Sequence, residues 1–206
     1  RCLDRWRQMQ PDNPQMLYLD GLFHLDYLHV VSAARASYAR AVELDPEHEE
    51  ARLGLAVCLL MCKDFAQPAE HFEGLRQGQP DNPRVQVGFA ECRDGLGDPD
   101  EAIRLVDDVL ARKPDFPSAL SLRGQLAYRK QQYAEAASWL RQAVQRNPAD
   151  HQARYNLALA LEQSGRVEES QEHMRHFQQA QKDLARFNQI VTDQDGKRPT
   201  DPALHC

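Results

Sequence analysis

Long apolar runs are missing from this sequence. No stretch approaches the ~18 uncharged apolar residues that a helix needs to cross a bilayer, and no charged segment followed by an apolar one opens the chain as a leader would. We therefore expect no membrane span.

An excess of basic charge is missing as well. The 206 residues include 25 lysines and arginines against 31 aspartates and glutamates, which gives a net charge of −6. Because nucleic-acid-binding surfaces are built from basic side chains, this balance argues against nucleic acid as the main partner. Arginine far outnumbers lysine, which is typical of a GC-rich, bacterial genome.

The five cysteines are spaced neither as a disulfide framework nor as a zinc motif. Cys58 and Cys92 are separated by about 34 residues, a period typical of helical repeats, so in a repeat they would occupy equivalent helix positions. Free cysteine is readily buried, and we expect these two to fill the core. Cys62 lies one helical turn after Cys58, and two cysteines at this spacing in a regular helix do not readily form a disulfide. We expect reduced thiols, no metal and no cofactor, and reduced thiols favour the cytoplasm.

A catalytic constellation is also lacking. His173 and His176 lie three residues apart, near Glu169 and Glu172, and could hold a metal ion only with ligands from elsewhere. No HExxH motif is present, so the solvated face of a helix is the favoured interpretation. The DGLGD segment at 94–98 follows no strand and does not indicate a phosphate loop. We expect that the chain is not an enzyme.

What the sequence has instead is a repeat period of about 34 residues. Prolines recur at Pro46, Pro80, Pro114 and Pro148. Small residues recur at Ala56, Ala90, Gly124 and Ala158, and bulky ones at Val31, Phe65, Tyr133 and Val167. Large and small residues at fixed offsets are what interlocking helices in a stack require.

The clearest copy of this pattern is Pro117 to Pro148. Two runs of helical apolar periodicity, 119–130 and 134–145, are joined by a short polar turn, which predicts a helical hairpin. Gly124 lies midway along the first helix, where glycine costs about 1 kcal/mol relative to alanine. We therefore predict a close crossing of two backbones there, with Ala136 on the other side.

These residues resemble the tetratricopeptide repeat family, whose repeat is a helix–turn–helix of the same length with small residues at fixed positions and a proline near its end. The resemblance is most specific at Pro117–Pro148, good at Glu49–Pro80 and looser at Pro83–Pro114, and it covers about residues 1–182. It implies an all-α fold, a right-handed α-solenoid or superhelix of stacked antiparallel helix–turn–helix hairpins.

We expect one array without a domain boundary. The first complete repeat has one extra residue, which we place in the turn at 26–29, and the last helix lacks a proline stop, so we expect it to continue to Ile190 or Val191. The chain is expected to begin and end inside a longer array. The predicted segments are the second helix of a truncated repeat (1–12), five repeats (13–48, 49–82, 83–116, 117–150 and 151–184), an extension of the last helix (185–192), and a loop with the start of a further repeat (193–206).

The resemblance also implies a concave groove lined by the first helix of each hairpin. The positions that usually contact ligands in the family carry over to Glu50, Leu53, Val57, Leu60 and Met61; Arg84, Val87, Glu91, Asp94 and Gly95; Ser118, Ser121, Gln125, Tyr128 and Arg129; and Gln152, Tyr155, Leu159, Glu162 and Gln163. We add Asn156 to the predicted groove. This groove is predicted to be apolar at its N-terminal end and polar at its C-terminal end.

Some family members bind a chaperone's C-terminal carboxylate through a clamp of lysine, asparagine and arginine. Here the corresponding places hold Leu53, Val57, Gly88 and Ser121, so we do not expect this clamp, although Arg84 and Asn156 are isolated matches.

The main functional hypothesis is a non-catalytic scaffold for protein–protein interaction, which binds a peptide or a helix in the groove. Three alternatives remain open. The apolar inner face could pack against further repeats of the parent chain. The chain could instead associate with itself through its last helix, with Met174, Phe177, Leu184 and Phe187 exposed, or it could be the substrate-recruiting arm of a larger enzyme.

Overall fold

The computed structural model describes residues 12–195, and the side chains of 12–183, 185 and 186. This part is all-α and contains no strand. Its ten α-helices are α1 (Pro14–Leu22), α2 (Val31–Leu44), α3 (Glu49–Met61), α4 (Ala66–Gly78), α5 (Pro83–Gly95), α6 (Pro99–Arg112), α7 (Pro117–Arg129), α8 (Tyr133–Arg146), α9 (His151–Gln163) and α10 (Val167–Asp195).

Local sequence signals explain where the helices begin and end. Side-chain oxygens of Asn13, Asn82, Asp98 and Asp150 accept hydrogen bonds from backbone N–H groups in the first turn of α1, α5, α6 and α9, which satisfies donors that have no partner within a helix. Proline, which needs no such partner, is the first residue of α1, α5, α6 and α7. Helices α2, α4, α6 and α8 each end two residues before one of the periodic prolines.

The turn inside every hairpin contains one residue with a positive φ angle. These residues are His29 (53°), Lys63 (62°), Gly97 (91°), Gln131 (61°) and Gly165 (82°), and each follows the one before by one repeat period. The left-handed conformation favours glycine because other residues have a Cβ that collides with the backbone. Three of the five turns therefore carry conformational strain.

The extra residue of the first hairpin is taken up by a π-helical turn, Phe23–Tyr27, which directly follows α1. A π-helix bonds residue i to i+5, so it holds one more residue per turn than an α-helix. The turn overlaps the predicted segment at Asp26 and Tyr27 and begins three residues before it.

The last helix, α10, is 29 residues long, about twice the length of the other helices. Lys182 occupies the position at which the other hairpins have proline, so nothing stops the helix there. The expected end at Ile190 or Val191 is too early, because the helix continues to Asp195 and residues 193–195 do not belong to a loop. Residues 1–11 and 196–206 and the side chains of Leu184 and Phe187 lie outside the described part.

The predicted close crossing between the two helices of the fourth hairpin is confirmed. A Cβ atom added to Gly124 would lie 2.5 Å from Cγ of Leu140 and 3.2 Å from the carbonyl oxygen of Ala136. Gly124, Ala136 and Leu140 are all buried. The glycine is thus needed for packing between α7 and α8, at the centre of the largest core cluster, which extends from Val87 to Leu161.

Candidate functional site

The odd-numbered helices form one face of the molecule. Each contacts the next odd-numbered helix, from α1 to α3 and onward to α9, whereas no two even-numbered helices contact each other within residues 12–195. In a curved stack the elements on the inside lie closer together. The odd-numbered helices therefore line the inner face, as the resemblance implied.

The N-terminal part of this face contains an open cavity of about 560 Å³. Its walls are apolar at Val57, Leu60, Met61 and Val87, and cationic and acidic groups surround them. The complete lining is Val57, Leu60, Met61, Lys63, Arg84, Val87, Gly88, Glu91, Ser118 and Gln152.

A second cavity, of about 340 Å³, lies next to the first. It is lined by Lys63, Glu91, Gln125, Tyr128, Arg129, Gln152, Asn156 and Leu159. Lys63, Glu91 and Gln152 line both cavities. The two cavities are therefore parts of one groove, which we call the inner groove, and its lining changes from mainly apolar to mainly polar along the stack.

Most of the predicted contact residues line the inner groove. They are Val57, Leu60, Met61, Arg84, Val87, Glu91, Ser118, Gln125, Tyr128, Arg129, Gln152, Asn156 and Leu159. Among them Leu60 is 7% exposed and contributes more to the core than to the groove surface, whereas Met61 is 54% exposed.

Eight other predicted contact residues do not line either cavity, and Gly95, Glu162 and Gln163 are three of them. Leu53 is buried in the cluster that contains Phe72 and Leu75. Ser121 is buried and accepts a hydrogen bond from the side chain of Gln125 (3.4 Å). Asp94 is buried and forms an ion pair with Arg129. Tyr155 packs on Phe177, with ring centroids 4.9 Å apart, and Glu50 lies near His48.

Two of these placements correct an expectation. Leu53 does not line the apolar end of the groove, because it is buried in the core cluster with Phe72 and Leu75. Phe177 and Met174 were expected to be exposed on the last helix, but both are half-buried, and Phe177 lies against α9.

Two groove residues were not predicted as contacts, Lys63 and Gly88. Lys63 lies in the turn after α3, outside the helix positions that the resemblance supplied. The repeat period relates Lys63 to Gly97, which lines neither cavity, so the sequence held no signal for this contact. Gly88 has no side chain that could signal a contact, and its role follows only from its neighbour Phe72.

Glu91 is the one acidic side chain in the lining of the two cavities. Burial raises its pKa above the ordinary value, and the nearby charge of Asp94 acts in the same direction, while Lys63 and Arg129 oppose the shift. Desolvation disfavours the charged form of a carboxylate. The groove therefore contains a carboxylate that takes up a proton more readily than a glutamate in water.

The cationic groups of the groove differ in their partners. Arg129 is held by the buried carboxylate of Asp94. Within residues 12–195, by contrast, the side chains of Lys63 and Arg84 make no hydrogen bond and no ion pair. These two cations remain available to a ligand.

Outside the groove, Cys58 and Cys92 are fully buried free thiols, which confirms their predicted place in the core. Burial raises the pKa of Cys58 to about 11 and that of Cys92 to about 12, so both are protonated at neutral pH. In the described part of the chain, no group of three or more His, Cys, Asp or Glu side chains is placed to hold a metal ion. None of the helices described is long and apolar enough to span a membrane.

Two family models, both described as tetratricopeptide repeat, match the chain, one over residues 93–151 and the other over 31–67 and 127–193. A search of curated proteins finds no significant match.

Solved structures with a similar fold include TTC0263, a thermophilic TPR protein of Thermus thermophilus, with 21% identity over 87% of this chain and 97% of that chain and a TM-score of 0.71. Yeast Tom70 has 21% identity over 98% of this chain and 44% of that chain, with a TM-score of 0.61. YrrB, described as a TPR protein with an unusual peptide-binding site, has 15% identity over 86% of this chain and 91% of that chain, with a TM-score of 0.53. At these identities the likeness is one of fold, an all-α helical repeat solenoid.

Proposed function

Because this chain belongs to the tetratricopeptide repeat family, whose fold serves as a protein–protein interaction module, we propose that it is a non-catalytic scaffold that binds a peptide or a helix in its inner groove. The observation that carries this proposal is the continuity of the two cavities along the odd-numbered helices. A continuous groove suits an elongated ligand better than a compact one.

The N-terminal end of the inner groove supplies the apolar contact. Met61 is 54% exposed and lines the larger cavity together with Val57 and Val87. Methionine is flexible and polarisable, and it adapts to partners of different shape. A buried apolar side chain commonly provides most of the affinity at an interface, and we assign that role in the ligand to the residue that contacts Met61.

The C-terminal end supplies hydrogen bonds. The side chain of Gln152 donates a hydrogen bond to that of Asn156 (3.1 Å), and both line the smaller cavity with Gln125 and Tyr128. Amide groups both donate and accept hydrogen bonds, so they match the N–H and C=O groups of a peptide backbone. YrrB, one of the structural neighbours, is described as having a peptide-binding site, which is consistent with this use of the fold.

The test is selection from a random peptide library displayed on phage, followed by affinity measurement with the selected peptides. Met61→Glu places a charge on the apolar wall and is expected to weaken binding about tenfold or more, the loss typical of a central contact. Leu96→Glu is the matched control, because Leu96 is 50% exposed and lines neither cavity. Leu53 and Leu60 are unsuited to the test, since a charge at these buried positions would unfold the chain.

Equal weakening by Met61→Glu and Leu96→Glu, or no weakening by either, would contradict the proposal. Circular dichroism of each variant checks that the fold is retained.

Self-association through α10 is a second candidate function. The specific observation is that α10 is about twice as long as the other helices and extends past the hairpin it closes. Sedimentation equilibrium tests it, because self-association requires a mass that rises with protein concentration. A constant monomer mass at the highest attainable concentration would remove this candidate.

A further inference from the structure

The charge of the inner groove is opposite to the charge of the chain. The whole sequence has a net charge of −6, yet the lining of the two cavities contains three cations, Lys63, Arg84 and Arg129, and one acid, Glu91. An acidic protein with a cationic groove attracts a ligand charge that the rest of its surface repels.

Both cations that make no ion pair line the cavity with the apolar wall, and Lys63 also lines the second cavity. Lys63 and Arg84 both line the larger cavity, together with Val57, Met61 and Val87. Within residues 12–195 neither cation has a hydrogen-bond or ion-pair partner for its side chain, whereas Arg129 has one in Asp94. The two cations that make no ion pair therefore lie in the cavity that contains the exposed apolar wall.

We propose that the ligand of the inner groove is a peptide in which an acidic side chain lies next to an apolar one, the acidic group between Lys63 and Arg84 and the apolar group against Met61. This inference rests on the proposed function, because it names the class of peptide that the same groove takes.

Other peptide classes fit the groove less well. A basic side chain would meet two like charges and only Glu91 as a partner, and burial disfavours the charged form of that carboxylate. A wholly apolar ligand would cover Lys63 and Arg84 without offering them an acceptor, which costs free energy because a desolvated charge then lacks a partner. An acidic side chain beside an apolar one satisfies both parts of the cavity.

The acid in question is a side chain within the peptide. At the positions of the family's clamp for a C-terminal carboxylate, this chain has Leu53, Val57, Gly88 and Ser121. Lys63 lies in the turn between α3 and α4, and Arg84 is the second residue of α5. Both cations line the larger cavity, and no terminal carboxylate is required.

The experiment uses the whole 206-residue chain and peptides selected by the wild type from a random library. We expect the selected sequences to be enriched in Asp or Glu next to Leu, Ile, Met or Phe. Lys63→Glu and Arg84→Glu should each weaken binding about fivefold or more, since reversal removes one ion pair and adds a repulsion. Lys113→Glu is the matched control, because Lys113 is exposed, lines neither cavity and makes no ion pair in the described part of the chain.

Two peptide variants sharpen the result. Replacing the acidic residue of a selected peptide by lysine should abolish binding to the wild type. The same lysine-containing peptide should bind the Arg84→Glu variant. Amidation of the peptide's C-terminus should leave the affinity unchanged, and a large loss on amidation would overturn the assignment to an internal side chain. Higher ionic strength should weaken binding, because the cations are close to solvent.

The outcomes separate this inference from the proposed function. Peptides that lose affinity with Met61→Glu but carry no acidic residue, or are unaffected by Lys63→Glu and Arg84→Glu, overturn the inference and leave groove binding intact. Peptides that are unaffected by Met61→Glu, or a library that yields none, overturn the proposed function and this inference with it.

Discussion

Two junctions between consecutive hairpins, one repeat apart, solve the same packing problem in different ways. Where α4 meets α5, the ring of Phe72 is fully buried against Gly88, and a Cβ atom at position 88 would collide with that ring. Where α6 meets α7, the equivalent residues are Val106 and Leu122, which are 0% and 5% exposed in one cluster.

The difference shows that the volume of the pair is maintained although each position varies. A large residue faces glycine at one junction, and two residues of middle size face each other at the next. Because protein interiors are close-packed, the size of the side chain at one position restricts the size of the side chain that it contacts in the following hairpin. Tyr38 and Gly54 repeat the first solution one hairpin earlier, where a Cβ atom on Gly54 would lie 2.7 Å from the tyrosine ring.

The pair of Phe72 and Gly88 also shapes the inner groove. Gly88 lines the larger cavity and accommodates Phe72, whereas Leu122 lines neither cavity. The larger cavity therefore lies at the junction where the odd-numbered helix has glycine at the position that holds leucine one repeat later.

The largest expected effect comes from truncating the large residue of the first junction. Phe72→Ala should reduce the free energy of unfolding by about 3–5 kcal/mol, because it removes a fully buried ring opposite a glycine that cannot fill the space. Val106→Ala, the matched change at the second junction, should cost about 2 kcal/mol, since fewer buried groups are lost. Urea unfolding followed by circular dichroism measures both, and equal losses would contradict the comparison.

The next largest effect is expected when the residue pair of the second junction is introduced at the first junction. Gly88→Leu alone should destabilise the chain by about 1–3 kcal/mol or more, because the new side chain meets the ring of Phe72. Gly88→Leu combined with Phe72→Val should recover a large part of that loss, since the pair then matches Val106 and Leu122. Additive losses in the double variant would show that the two positions are not coupled.

A smaller effect is expected when the residues with a positive φ angle are exchanged between the turns of two hairpins. Gln131 has a φ angle of 61° where the preceding hairpin has Gly97, so Gln131→Gly should raise the free energy of unfolding by about 0.5–1 kcal/mol. Gly97→Ala should lower it by a similar amount, since a Cβ atom there meets nothing within 4 Å and only the backbone is strained. Thermal unfolding of the two variants checks the opposite signs. A shift of the same sign in both would refute the assignment of strain to the turn.

The smallest effect concerns the groove acid. Gln125 occupies in α7 the position that Glu91 occupies in α5, so Glu91→Gln gives the two helices the same side chain at this position. Burial raises the pKa of Glu91, so the stability linked to its protonated form is present below the ordinary pKa of glutamate and is lost as pH rises through the raised value. Glu91→Gln should therefore stabilise the chain at neutral pH and flatten this part of its pH dependence.

Unfolding followed across the pH range measures the effect of Glu91→Gln. Glu50→Gln is the control, because Glu50 is exposed and lines neither cavity. A pH dependence that Glu91→Gln leaves unchanged would mean that burial does not perturb this carboxylate.

Much of the fold could be predicted because repeats report the same signal several times. The periodic prolines mark the ends of four even-numbered helices, and Gly124 identified the crossing of α7 with α8. The end of α10 was misplaced because no proline, glycine or cap signals it before Asp195. The π-helical turn was not foreseen, because an extra residue can be absorbed by a turn or by a helix with no difference in pattern.

The groove was predicted less completely than the helices. Family positions identified Val57, Met61 and Val87, but they also included Leu53, which lies in the core. A stripe of apolar residues on a helix does not reveal how much of it the neighbouring helices cover. Lys63 was missed because it reaches the groove from a turn, where side-chain direction depends on the left-handed backbone.

The sequence by itself determined the repeat length, the family and the ends of the four helices that stop before a periodic proline, because these depend on local signals that recur from one repeat to the next: proline, small residues and helical periodicity. The tertiary structure alone decided which of the predicted contact residues face the inner groove, that Phe72 fills the space left by Gly88, and that Lys63 and Arg84 line a cavity with Met61 and make no side-chain hydrogen bond or ion pair in the described part of the chain. The physical reason is that burial and charge pairing are properties of neighbours in space, and those neighbours come from different hairpins.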